Sequence, residues 1–89
     1  MIWTIEFDER AERDLAKLDK AIQRRIVQYL QKRISPSEDP TAFGHGLTHN
    51  LSDLWRFRVG DYRILCRIEK DGLTVLVVAI GHRSSIYDR

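Results

Sequence analysis

The chain has 89 residues, 43% of them hydrophobic, which is enough to bury one core without a metal or a disulfide but too little for two domains. We therefore expect residues 1–89 to form a single domain. Fifteen Lys and Arg residues against thirteen Asp and Glu residues leave a net charge of +2, which by itself does not indicate a nucleic-acid partner. The charge is uneven, however: residues 1–53 have a net charge of −1 and residues 54–89 a net charge of +3.

The first third of the chain has the pattern of one strand and two helices. Residues 2–7 alternate apolar and polar side chains, which is typical of a half-buried strand. Asp8 is a candidate N-cap for a helix over residues 9–18, and Asp19 is a second candidate, for a helix whose apolar positions extend to Ile34. The short joint between the two helices predicts a helical hairpin.

The remaining chain predicts a long connection and then a three-stranded antiparallel meander. Residues 35–53 contain prolines and glycines without a sustained period, so they should cross the surface, attached to the core by Phe43, Leu47 and Leu51. The hairpin turn signals GD and KDG separate three predicted strands, at residues 54–59, 62–69 and 73–81.

This order of elements predicts an α+β fold with both helices packed on one face of an antiparallel sheet. The other face of the sheet is left to solvent or to a partner. No metal or other cofactor is expected, because His45 and His49, although four residues apart, lie in a Gly-rich segment with no third ligand nearby.

The lone Cys66 lies in an apolar strand pattern, which predicts a packing role in a reducing compartment. The first ten residues, MIWTIEFDER, lack a basic segment followed by an apolar run, so we expect no signal peptide. The longest apolar stretch, residues 75–80, is far too short to cross a bilayer. We therefore expect a cytoplasmic protein without a membrane partner.

The stretch WRFRVGDYRIL, residues 55–65, carries three arginines in one predicted hairpin. Gly60 suits the first central position of a type II′ turn, which would pair Arg58 with Arg63. Alternation along the strands then separates two sets of side chains, with Arg56, Arg58 and Arg63 on one face and Trp55, Phe57, Tyr62 and Ile64 on the other. We call the face that carries Arg56, Arg58 and Arg63 the arginine face.

Like charges at directly opposed strand positions are unfavourable, by roughly 1 to 3 kcal/mol per pair at a separation of about 5 Å. One interpretation is that the arginines only solvate an exposed face, with Asp61 and Glu69 offsetting their charge. The other is that they bind a polyanion, because a planar guanidinium recognises phosphate through paired hydrogen bonds. Convergence of three arginines on one hairpin favours the second interpretation.

The last residues, GHRSSIYDR, add candidate acid, base and cation groups. The end of the third meander strand lies beside the start of the second, so we expect His82, Arg83 and Tyr87 to reach the arginine face. RNA cleavage without a metal needs a base for the ribose 2′-OH, cations for the phosphorane and an acid for the leaving 5′-oxygen. Tyr87 or His82 would move the proton.

The motifs LSDLWRFRVGDYRIL and VVAIGHRSSIY, with FDERAERDLAKLDKAIQRRI before them, resemble the RelE/ParE superfamily of toxins from type II toxin–antitoxin systems, specifically its RelE branch. The resemblance covers nearly the whole chain. It implies a toxin that cuts mRNA in the ribosomal A site through attack of the 2′-OH. It also implies a RelB-like antitoxin that wraps and blocks the toxin, with operator DNA bound only through that antitoxin.

By the same resemblance, the family's catalytic residues correspond to Arg56, Arg58, Arg63, Arg83 and Tyr87, with Tyr87 as base and Arg83 assisting the leaving group. The best-known members have lysines at the positions of Arg56 and Arg58. An arginine is effectively never deprotonated, so here these two positions can only stabilise charge, and the base is Tyr87 or His82.

Two other functions remain open on the same fold. A ParE-like toxin would inhibit DNA gyrase without chemistry, and an inactive toxin would persist as an antitoxin-binding co-repressor module. The ending from Gly81 to Tyr87 favours cleavage.

Overall fold

The computed structural model describes residues 2–47 and 54–82. Its elements, in chain order, are β1 (Thr4–Phe7), α1 (Glu9–Ala16), α2 (Lys20–Tyr29), a π-helical turn (Leu30–Ile34), a 3-10 turn (Pro40–Phe43), β2 (His45–Gly46), β3 (Leu54–Val59), β4 (Tyr62–Glu69) and β5 (Thr74–His82). The predicted strand, helical hairpin and meander are all confirmed.

Both predicted N-cap positions are correct, but only one is a side-chain cap. The Asp8 carboxylate accepts a hydrogen bond from the Ala11 backbone N–H at 2.9 Å, which satisfies one of the free donors of the first turn of α1. Asp19 occupies the N-cap position of α2 without a side-chain hydrogen bond. Helix α1 ends at Ala16, two residues before the predicted end, and the backbone N–H of residue 17 donates to Asp14.

The sheet has five strands in the order β1-β5-β4-β3-β2 and is mixed rather than antiparallel. Strand β1 pairs with β5 in parallel, with Ile5 beside Val75, whereas every other neighbouring pair is antiparallel. The prediction of an antiparallel sheet was therefore wrong for its first strand. Alternation identifies a strand and its buried face, but it carries no information about the direction of the strand's partner.

The connection after the helices is more structured than predicted. It contains the 3-10 turn, and its short strand β2 pairs with β3. Phe43 does not attach it to the core, since its side chain is 41% exposed and lies under the Arg33 guanidinium at 5.9 Å. Pro40 is fully buried instead. Leu51 lies outside the described residues.

The core lies between the helices and one face of the sheet, as predicted. Ala11 of α1, Ile26 of α2, and Leu30 and Ile34 of the π-helical turn pack with side chains from β3, β4 and β5. The fully buried side chains of these strands are Phe57, Ile64, Cys66, Val75 and Val77. Within residues 2–47 and 54–82, no helix has the length and apolarity needed to cross a membrane.

Candidate functional site

The β3–β4 hairpin has the register that the sequence predicts. Val59 pairs with Tyr62, Arg58 with Arg63, and Arg56 with Leu65. Directly opposed residues point to the same side of a sheet, so Arg56, Arg58 and Arg63 share the face away from the helices. The arginine face is therefore present in the structure.

The turn between the two strands depends on Gly60. Its φ of +60° lies in the left-handed region that favours glycine, and Asp61 after it has no positive φ, as a type II′ turn requires. Arg58 extends over this turn and donates from Nε to the Gly60 carbonyl at 3.4 Å. Among the described residues, the two terminal nitrogens of this guanidinium form no hydrogen bond.

Arg63 has an unusual environment for a cation. Its Nη1 atom is buried from solvent and has no hydrogen-bond partner among residues 2–47 and 54–82. Its cross-strand neighbour on β5 is Gly81, which contributes no side chain and is itself buried. A buried donor without a partner costs roughly 1 to 3 kcal/mol, and an oxygen acceptor brought by a ligand would remove that cost.

Two of the three arginines on this face, Arg58 and Arg63, are directly opposed, and their acid partners decide whether the purely solvating interpretation holds. Among the described residues, neither Arg58 nor Arg63 forms an ion pair, although Asp61 and Glu69 lie on the same two-stranded unit. No acid of the described residues therefore offsets the charge of these two side chains through an ion pair.

Two further residues on this face were missed by the sequence analysis. Arg67 of β4 follows Arg63 and Leu65 at the two-residue period of the strand and is exposed. His45 of β2 pairs directly with Arg56 and is also exposed. Alternation along residues 63–67 was sufficient to find Arg67. His45 could not be placed, because nothing in its Gly-rich surroundings indicated a strand.

His82 is not brought onto the arginine face. It pairs with Tyr62 at the end of β5, and the two rings meet edge to face with centroids 5.6 Å apart. Tyr62 belongs to the helix side of the sheet, so the exposed His82 ring lies on that side as well. Arg83 and Tyr87 lie outside the described residues.

A β-bulge explains the position of His82. Leu65 pairs with Ala79 and the next residue, Cys66, pairs with Val77, so β5 carries one extra residue at Val78. An extra residue reverses the alternation of every side chain beyond it. The strand is apolar throughout this region, so the sequence gives no sign of the reversal.

Cys66 has the packing role predicted for it. It is fully buried on the helix side of the sheet, and burial raises the pKa of its thiol far above the ordinary value. The thiolate that a nucleophilic cysteine requires is therefore disfavoured.

The arginine face provides a row of guanidinium groups on rigid strands. Each presents donors that match two oxygens of a phosphate, and their combined charge would stabilise an additional negative charge developing there. A phosphodiester chain is the ligand that these features fit best.

Comparison with known proteins identifies the family of the chain. Residues 5–87 match the family model described as the ParE toxin of the type II toxin–antitoxin system, parDE. The chain is 34% identical to Toxin RelG of Mycobacterium tuberculosis over 89 residues, which is the full length of both proteins. It is 29% identical to an Escherichia coli RelE-like toxin protein, covering 99% of this chain and 93% of the relative.

Among solved structures, the chain is similar to one in the crystal structure of the toxin–antitoxin complex RelBE2 from Mycobacterium tuberculosis. The TM-score is 0.85 and the identity 30%, and the match covers 96% of this chain and 95% of the other. The fold and the family are therefore both shown.

Proposed function

Because the chain belongs to the RelE/ParE superfamily of type II toxin–antitoxin toxins, we propose that it is a metal-independent, ribosome-dependent endonuclease that cuts mRNA in the ribosomal A site. The observation that carries this proposal is the arginine face, where Arg58 and Arg63 stand directly opposed without an ion pair among the described residues. Such crowding is explained by a ligand that supplies negative charge.

The proposed reaction is an internal transfer at phosphorus. The ribose 2′-oxygen forms a bond to the phosphorus, the bond from phosphorus to the 5′-oxygen breaks, and the products are a 2′,3′-cyclic phosphate and a free 5′-hydroxyl. A base takes the proton of the 2′-OH and an acid protonates the leaving oxygen. The phosphorane between these states carries the extra negative charge that arginines stabilise.

We assign charge stabilisation to Arg56, Arg58 and Arg63, assistance to the leaving group to Arg83, and the role of base to Tyr87. His82 is the alternative base, and its position on the helix side of the sheet counts against it. His45, beside Arg56 on the arginine face, is a further candidate for proton transfer.

The partners follow from the same proposal. The chain would act in the cytoplasm, on ribosomes and mRNA. A cognate RelB-like antitoxin would cover the arginine face when no ribosome is bound. A similar toxin was solved in complex with an antitoxin, which supports the existence of such a partner. The pair would bind operator DNA through the antitoxin and repress its own operon.

Primer extension on cellular mRNA after induction tests the activity. We expect cuts at codon positions of translated messages, and loss of these cuts and of toxicity in Arg63→Ala and Arg83→Ala. The matched control is Arg10→Ala, which removes an exposed arginine from α1. Full toxicity in both test variants would overturn the assignment of the site.

The proton-transfer role is tested separately by Tyr87→Phe, which removes the hydroxyl and keeps the ring. We expect cleavage to fall by roughly 100-fold or more, as for the loss of a general base. Unchanged cleavage would transfer the role to His45, to His82 or to the ribosome.

A second candidate is gyrase inhibition, because the family model that matches residues 5–87 is that of ParE. Accumulation of relaxed or broken plasmid DNA while mRNA stays intact would support this candidate and contradict the proposed cleavage.

A further inference from the structure

The second helix is far more basic than the net charge of the chain suggests. Residues 20–34, which include α2 and the π-helical turn, carry five Lys and Arg side chains and no Asp or Glu. The acidic residues Glu9, Glu12 and Asp14 of α1 offset this positive charge when the net charge is summed over the first half of the chain. Fifteen residues with a net charge of +5 form a second basic surface, on the helix side of the sheet.

Part of this surface forms a pocket of about 370 Å³ between α2 and the edge of β3. Its lining residues are Arg25, Gln28, Tyr29, Lys32, Arg33 and Val59. Arg25, Gln28 and Tyr29 lie on one face of α2 at spacings of three and four residues, and Lys32 and Arg33 of the π-helical turn complete the lining on the helix side. We call this cavity the helix pocket.

The cations of the helix pocket are not engaged with acids. Within residues 2–47 and 54–82, neither Arg25 nor Lys32 forms an ion pair or a hydrogen bond. Arg33 lies over the Phe43 ring at 5.9 Å. Burial raises the pKa of the Tyr29 phenol and the neighbouring Arg33 lowers it less, so the hydroxyl stays protonated and can donate at neutral pH.

The helix pocket and the arginine face are joined through the tip of the β3–β4 hairpin. An atom at the Cβ position of Gly60 would lie 3.2 Å from Nη2 of Arg25, so this guanidinium packs against the turn from the helix side. Arg58 contacts the same residue from the other side, through its hydrogen bond to the Gly60 carbonyl. Positive charge therefore continues around the hairpin tip from one face of the sheet to the other.

We propose that the helix pocket is a second phosphate-binding site, in which Arg25, Lys32 and Arg33 hold a phosphodiester group of RNA while mRNA occupies the arginine face. The inference rests on the proposed function, since it takes RNA as the ligand, but it concerns binding rather than cleavage. Three cations, a phenol and the Gln28 amide supply donors for several phosphate and ribose oxygens.

An antitoxin helix fits the helix pocket less well than RNA does. A helix that docks in a groove needs apolar sites for its anchoring side chains. The only aliphatic lining residue is Val59, which is 9% exposed, and the other lining side chains are polar or carry a polar tip. A polyanion can accept hydrogen bonds from all of these polar groups.

The test compares two double variants of the same helix. Arg25→Gln/Lys32→Gln removes two cations of the helix pocket, whereas the matched control Lys20→Gln/Arg24→Gln removes one lysine and one arginine that are exposed elsewhere on α2. Circular dichroism verifies that both variants fold. Binding is measured by fluorescence anisotropy with a 12-nucleotide 2′-O-methyl RNA, which cannot undergo attack by the 2′-oxygen.

For the pocket variant we expect a loss of affinity of roughly tenfold at 0.1 M salt, and a slope of log affinity against log salt that is smaller by about 1.4, or about 0.7 for each lost contact to single-stranded RNA. For the control we expect a loss of less than about twofold. Equal losses in the two variants, both with this oligonucleotide and with purified small ribosomal subunits, would overturn the proposal.

The phosphate could come from mRNA or from ribosomal RNA, and binding to purified small ribosomal subunits distinguishes the two. If the helix pocket holds mRNA, the loss appears with the free oligonucleotide. If it holds ribosomal RNA, the loss appears with purified small ribosomal subunits and exceeds that of the control there. Weaker binding of the cognate antitoxin, with both RNA probes unaffected, would overturn the proposal.

Failure of the two proposals can be told apart. Wild-type protein that cuts mRNA while the pocket variant binds both RNA probes like the control would refute only the helix pocket. Wild-type protein that binds neither RNA probe would refute both.

Discussion

The two faces of the β3–β4 hairpin differ in the residues that they require, because one face is buried and apolar and the other carries arginines. On the helix side, Phe57 is paired with Ile64 and both are fully buried; one position along each strand, Arg58 is paired with Arg63 on the arginine face. The first pair stabilises the fold through burial, whereas the second repels, and the proposed RNA ligand would offset that repulsion. Substitutions on the helix side of this hairpin should therefore change mainly the stability of the protein, and substitutions on the arginine face should change mainly the binding of a ligand.

The largest effect on stability is expected on the helix side. Phe57→Ala removes a fully buried ring at the centre of the core and should lower the free energy of unfolding by about 3 to 5 kcal/mol. Urea denaturation measures the change. A loss below about 1 kcal/mol would mean that this face does not carry the core.

A smaller effect is expected at the edge of β5 beyond the end of β1. There the Asp14 carboxylate of α1 accepts a hydrogen bond from the backbone N–H of Ile80 at 2.9 Å. Asp14→Ala leaves that buried donor without a partner and should cost about 1 to 3 kcal/mol of unfolding free energy, whereas Asp14→Asn retains an acceptor and should cost less. Equal losses in thermal unfolding would show that the hydrogen bond is not the source.

The buried thiol of the helix side predicts a dependence of stability on pH. The pKa of Cys66 is raised in the folded protein, so above the ordinary thiol value of about 8.5 the unfolded chain binds fewer protons than the folded one. The unfolding free energy should therefore fall above pH 8.5, by at most about 1.4 kcal/mol per pH unit from this group. Urea denaturation at pH 8 and pH 9.5 should show a smaller fall in Cys66→Ala, and identical falls would contradict the assignment.

The smallest change in stability is expected on the arginine face, where it has the opposite sign. Arg58→Gln/Arg63→Gln removes a directly opposed pair of like charges and should raise the unfolding free energy by about 0 to 1 kcal/mol at low salt. The gain should shrink as salt screens the repulsion. A loss of several kcal/mol in urea denaturation would mean that these arginines are structural.

Local rules were sufficient for the hairpin and not for its surroundings. Gly60 determined the turn, the turn determined the register, and alternation then placed Arg58 and Arg63 on one face. The parallel partner of β1 and the two-residue strand β2 depend on contacts between distant segments, which periodicity does not encode.

There is a physical reason for each part of the site that the sequence did not predict. His82 was expected on the arginine face, and the bulge at Val78 turns it to the other side in a strand too apolar to show the change. The helix pocket was missed because the charge of the helical hairpin was averaged, although Arg25 and Lys32 lie on a helix without acids.

The central claim is that the crowded arginines of β3 and β4 are held for an RNA phosphate backbone. Its most direct test is the shift in melting temperature when saturating 2′-O-methyl RNA is added to wild-type protein and to Arg58→Gln/Arg63→Gln. At 100 times the dissociation constant, binding adds about 2.7 kcal/mol, so wild-type protein should melt roughly 10 to 20 °C higher, with little shift in the variant. No shift in wild-type protein, or equal shifts in both, would contradict the claim.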